Sequence, residues 1–237
     1  MGRFCYISKI LPGKSELVRE MWKNRTPNEE PAIHTEFWNA LGMTGFDSWL
    51  QETAGGDYMI HCVEGDSLQR IFKGLRELIA KGNSFALKLQ NFYHDVLGKN
   101  YALPESEPHI ENMLDISLPS SEKIIKRGFF FPLLLHKEEA HRLFRKESMG
   151  EKKKRHEASM MAFGVSRLST WLQSTPEGKY IVVYSERHVN TPKTSKARLD
   201  QSKGSSAWQE ISSILCDHSG LTPDELSPDS EWLTCPK

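Results

Sequence analysis

The 237-residue chain is poor in the features that would name a reaction or a compartment at once. Its four cysteines, Cys5, Cys62, Cys216 and Cys235, are far apart and form no CxxC pair, so neither a zinc ribbon nor a dithiol redox motif is encoded. Cysteines so few and scattered fit a reducing compartment with free thiols. Charge of one sign is not in excess: 31 Lys plus Arg stand against 31 Asp plus Glu. That balance argues against a protein whose main task is coating nucleic acid or an anionic membrane. The longest apolar run, Phe129 to Leu135, has seven residues, where a membrane span needs about twenty. The opening MGRFCYISKI lacks the apolar core of a secretory signal. The expected location is therefore the cytoplasm. Gly-rich phosphate loops, G-x-S-x-G and D-x-D clusters are missing. No motif encodes a cofactor; haem and flavin stay open.

What the chain does contain is a repeat. Shifted by 122 residues, His34–Glu64 lies on His156–Glu186 without gaps, and 10 of the 31 positions are identical. Trp49/Trp171, Leu50/Leu172 and Gln51/Gln173 are among them, as are Gly56/Gly178, Tyr58/Tyr180 and Glu64/Glu186. Two copies are too few, and each too long, for a solenoid; duplication of a small domain is the natural reading.

Each copy has the same series of elements. FCYISKIL, followed by Pro12-Gly13, predicts a strand and turn; Ser15 to Trp22 has helical spacing; Ala32 to Leu41 predicts a helix stopped at Gly42. Phe46–Thr53 and Tyr58–Glu64 predict strands joined by a tight hairpin. Ser67–Leu97 predicts two helices broken near Gly82-Asn83, and Met113–Leu118 a closing strand. The order is β-α-β-β-α-β, that of a ferredoxin-like domain. The second copy departs at 188–206, which predicts a loop, with one helix, Ala207–Cys216, after it. The expected fold is α+β, with ferredoxin-like repeats at 1–119 and 127–237, the second ending in an acidic, Pro-rich tail with a short helix at Thr222-Pro223.

Strand alternation separates two faces. Phe46, Ser48 and Leu50 suit helices packed above them, and Met59, His61 and Val63 share that face. Trp49 and Gln51 take the other, with Tyr58, Cys62 and Glu64. Their counterparts are Trp171, Gln173, Tyr180, Tyr184 and Glu186. An aromatic face without helices disfavours exposure, so the two bare faces are expected to pack together and enclose a cavity.

The duplicated W-L-Q-x-x-x-x-G-x-Y-x-x-x-x-x-E hairpin resembles the dimeric α/β-barrel superfamily, and in detail a family of small uncharacterised proteins with a W-L-Q…G-D-Y…E hairpin. In the second copy, Lys179 departs from the Asp at position 57. The resemblance implies an intramolecular pseudo-dimeric barrel: a monomer with pseudo-twofold symmetry, binding a small, partly apolar molecule. The superfamily includes cofactor-free monooxygenases, haem-handling enzymes and isomerases, so the fold does not choose a function.

Candidate ligand-binding residues are Trp49, Gln51, Tyr58, Trp171, Gln173, Tyr180 and Tyr184, which combine flat apolar walls with a few directed polar groups. Candidate acid/base residues are Glu64, Glu186, His34 and His156. His61, whose counterpart is Val183, reads as a packed histidine. No metal-ligand spacing accompanies any of them. Three functions follow: small-molecule binding, a cofactor-free monooxygenase or isomerase, or an interaction module using Lys152–Arg155 and the 188–206 loop.

Overall fold

Aromatic and β-branched residues alternate along Gly2–Lys9 (β1), Met43–Thr53 (β2) and Gly56–Gly65 (β3), which pair antiparallel in the order β1-β3-β2. The computed structural model describes residues 2–23, 31–120, 123–162, 164–189, 206–222, 225, 226, 228 and 230–233, without the side chains of 31–35, 162, 206–208 and 232. Between and after the strands lie α1 (Ser15–Lys23), α2 (Pro31–Leu41), α3 (Leu68–Ala80) and α4 (Ser84–Leu97). The side chain of Ser67 caps the start of α3 by accepting the Arg70 amide, and at the predicted break between α3 and α4 that of Asn83 caps α4 by accepting the Ala86 amide. Leu68, Ile71, Phe72 and Leu75 form the buried stripe of α3. Gly42 ends α2 at φ 65°, a left-handed conformation that a side chain would strain.

The second series begins with β4 (Ile110–Ser117) and β5 (Ile124–Leu133). It continues with α5 (Glu138–Met149), α6 (Lys153–Ala162), β6 (Val165–Thr175), β7 (Gly178–His188) and α7 (Ser206–Ser219), and ends with β8 (Glu231–Leu233). β5, α6, β6, β7 and α7 each start 122 residues after β1, α2, β2, β3 and α4, the spacing of the sequence repeat. The predicted 188–206 loop falls almost wholly outside the described residues, as do Pro223 of the predicted tail helix and Cys235.

The two antiparallel sheets are ordered β1-β3-β2-β8 and β4-β6-β7-β5. The compact units are Met1–Pro108 with Glu231–Lys237, and His109–Ser230. The strand expected to close the first repeat thus sits beside β6 in the second unit's sheet, while β8, absent from the sequence reading, completes the first. Alternation marks a segment as a strand; which open ladder edge it completes is decided elsewhere.

Cys5 and Cys62 stand directly opposite on β1 and β3 and form a disulfide, which corrects the expectation of free thiols for this pair. Their separation of 57 residues concealed a register that only the ladder reveals. Cys216 is free. No helix among the described residues is long and apolar enough to cross a membrane.

Candidate functional site

On the helix-covered face of the first sheet, alternation stacks Tyr6, Phe46, His61 and Val63. Phe37, Trp38 and Leu41 descend from α2, Ile71, Phe72 and Leu75 from α3, and Phe85, Leu89 and Tyr93 from α4. Together with Tyr101, just beyond α4, these helix and strand side chains leave a cavity of about 70 Å³. Its walls are apolar except for three phenols. Trp38, Phe46, Phe85 and Leu89 are half-buried and form its solvent side, whereas Tyr6, Phe72 and Tyr101 are buried at its base.

His61 is fully buried beside this space, its ring 4.9 Å from Tyr6, 5.7 Å from Tyr93 and 6.1 Å from Phe46 between centroids. Burial, with a smaller push from Lys99, lowers its pKa to about 3, so the imidazole is neutral. Nδ1 lies 3.4 Å from the Ser48 hydroxyl, while Nε2 has no hydrogen-bond partner among the described residues. Burial, then the neighbouring phenols, raises the Tyr6 pKa well above the usual tyrosine value. Tyr101 is raised for the same reasons and drawn part of the way back by Ser8. The Tyr101 backbone is fixed by Gln90, whose amide oxygen accepts its N–H at 2.7 Å. The cavity therefore presents aromatic walls together with neutral donors and acceptors.

The residues singled out in the sequence lie elsewhere. Register places Trp49 beside Ile60 and Gln51 beside Tyr58 on the face of the first sheet opposite His61, and Trp171 beside Val182 and Gln173 beside Tyr180 on the face of the second opposite Val183. Trp49, Gln51, Tyr58, Trp171, Gln173 and Tyr184 are buried, and Tyr180 is half-buried with its ring 5.5 Å from Phe130. Glu64 is paired with Arg3, and Glu186 accepts the Tyr184 hydroxyl at 2.8 Å. His156 is buried on α6, where burial and then Arg145 lower its pKa to about 4. The side chain of His34, on α2, lies outside the described residues. The structure thus groups Trp49, Gln51 and Tyr58 in one unit and their counterparts in the other. The reading of His61 as a packed histidine agrees with its burial.

Sequence reasoning missed Tyr6, Phe72, Tyr93 and Tyr101 as a group. A signal was present: Phe85, Leu89 and Tyr93 are spaced four apart on one stripe of α4, aimed at the strand face that carries Tyr6 and His61.

No family profile and no curated relative matches this chain. Among solved structures, a "putative monooxygenase" of Fusobacterium nucleatum is similar at 9% identity and TM-score 0.45, covering 97% of this chain and 88% of the other. An "anthrone oxidase-like protein" is similar at 12% identity and TM-score 0.46, covering 97% and 89%. A "putative monooxygenase" of Lactobacillus acidophilus NCFM is similar at 11% identity and TM-score 0.37, covering 98% and 93%. At such scores the likeness carries no argument about site or reaction.

Proposed function

We propose that this chain is a tandem duplication of one ferredoxin-like unit whose first copy binds a small, flat, largely apolar molecule in its aromatic cavity. The constant 122-residue offset of five elements supports the duplication, as do three glycine pairs with positive φ at the same offset: Gly42/Gly164, Gly56/Gly178 and Gly98/Gly220. The resemblance of the W-L-Q hairpin to the dimeric α/β-barrel superfamily agrees with a small-molecule role.

The cavity carries the functional reading. At about 70 Å³ it is smaller than a single ring needs; an engineered apolar cavity of ~150 Å³ accepts benzene. A one-ring ligand therefore requires the half-buried side, Trp38 and Phe85, to swing outward. Calorimetric titration with phenol and with indole tests this. Saturable binding is expected, with Leu75→Trp, which fills the cavity, weakening it at least tenfold while leaving far-UV circular dichroism and cooperative unfolding intact. Absence of saturable binding to the unaltered chain, or equal binding by the filled variant, overturns the reading.

One observation favours a polar contact beside the same cavity. The imidazole of His61 is neutral, and its Nε2 has no partner among the described residues, so it can accept a hydrogen bond from the hydroxyl of a bound phenol.

A further inference from the structure

Where the helices of the first unit bury rings, those of the second bury a guanidinium among imidazoles. Arg145 on α5 is 3% exposed and surrounded by His141 on the same helix, His156 on α6 and His218 on α7, all buried. Its guanidinium lies 5.1 Å from the Phe144 ring. A buried guanidinium ordinarily has a carboxylate partner, because an isolated charge in a low-dielectric interior is costly.

Here every acid on the three helices is engaged by another cation. Glu138 pairs with Arg142 and Lys179, Glu139 with Arg142, and Glu147 with Lys152. Glu157 pairs with Lys153, Glu210 with Arg155, and Asp217 with Lys137. Among the described residues the Arg145 side chain makes one hydrogen bond: Nε donates to His141 Nε2 at 3.2 Å. That bond fixes the relay beyond it. Since His141 Nε2 accepts, a neutral His141 carries its proton on Nδ1 and donates it across 3.2 Å to His218 Nδ1. His218 then carries its own proton on Nε2. Both imidazoles are spent in orienting the guanidinium, and neither neutralises it. Two buried hydroxyls on the sheet face beneath these helices, Thr170 Oγ1 and Ser185 Oγ, also have no hydrogen-bond partner among the described residues.

We propose that Arg145, held by the His141–His218 relay, anchors a binding site for a small oxyanion, a carboxylate or a phosphate. The terminal amino groups of the guanidinium supply a planar fork matched to two oxygens. The negative charge of an anion there would oppose the effect of the burial that lowers the Arg145 pKa to about 10 and the His141 pKa to about 2. No group of His, Cys, Asp and Glu suited to a metal occurs among the described residues, and a guanidinium in contact with the imidazoles repels cations.

The full chain should be titrated at pH 7.5 and constant ionic strength, replacing chloride with acetate in one series and with phosphate in another. A saturable rise in Tm is expected in at least one, and the responding series identifies the oxyanion. The imidazole NMR signals of His141 and His218 should shift along the same binding curve. Arg145→Met should abolish the rise. Arg145→Lys, which keeps the charge and loses the fork, should weaken binding about tenfold or more. A wild-type chain without a saturable response, binding that leaves both imidazoles unshifted, or a folded Arg145→Met with an unchanged curve each overturns the proposal. Leu75→Trp, in the other unit, should leave the anion response intact, so failure of the aromatic site and failure of this one are separable.

Discussion

Position 61 on β3 and position 183 on β7 face the helix layer of their units, one as histidine and the other as valine. The cost of that histidine is set by its partners. Ser48 is at 3.4 Å, Nε2 has no partner among the described residues, and the ring is fully buried. A polar group kept in that state reduces stability, whereas an apolar residue of similar reach does not. His61→Val should therefore unfold at an equal or higher urea concentration than the unaltered chain at pH 7, while losing affinity for phenol. A variant less stable by about 3 kcal/mol, the scale of a broken buried hydrogen bond, would show that the imidazole is structural. Gln90 is the opposite case. It accepts from Tyr101 N and donates to the Lys99 carbonyl, fixing one wall of the cavity. Gln90→Leu leaves the Tyr101 amide buried without a partner, and urea denaturation should register a loss of about 1–3 kcal/mol.

Among the elements, β8 is short but covers a sheet edge. Three residues pair with Ser48, Trp49 and Leu50 and cover the outer edge of β2, and Leu233 is buried by doing so. Without them, β2 presents open donors and acceptors beside an apolar face, the arrangement that recruits a second chain. A chain ending at Ser230 should melt at lower temperature and associate in a concentration-dependent way in sedimentation; a monomer of unchanged Tm would contradict this. β8 was also the least legible element in the sequence, since three residues after an acidic tail show no periodicity. The longer elements were readable. The hairpin register of Trp49, Gln51 and Tyr58 follows from alternation, and the α3–α4 break from Gly82-Asn83. Local signals do not encode partnership at a distance. They could not show that Ile110–Ser117 joins β6, that Cys5 meets Cys62, or that stripes on α3 and α4 leave a space above Tyr6. Arg145 was hidden for the same reason: a cation in a helix reads as solvated until its burial is known.

Across the whole chain the histidines decide the response to acid. His61, His141 and His156 have folded pKa values of about 3, 2 and 4, set first by burial, and His218 is lowered by burial as well. In the unfolded chain each returns to near 6.5. Between that value and the folded one, the unfolded state binds more protons than the native state, so stability is complete above about pH 6.5 and falls with decreasing pH. At pH 5 each of the first three contributes a loss of roughly 2 kcal/mol, at about 1.4 kcal/mol per pH unit. Together this is roughly 6 kcal/mol, against a total stability on the order of 5–15 kcal/mol for a globular domain. Carboxylates held below their usual range, such as Glu138 and Asp217, do not add to this at pH 5; their contribution disappears only at lower pH. The chain should therefore lose most of its resistance to urea between pH 6.5 and 5, before its ion pairs titrate. His156→Gln and His61→Val should each flatten the profile in that window. A denaturation free energy that stays constant from pH 7 to 5, or a profile that neither substitution flattens, would mean that these imidazoles are not held neutral in the folded chain.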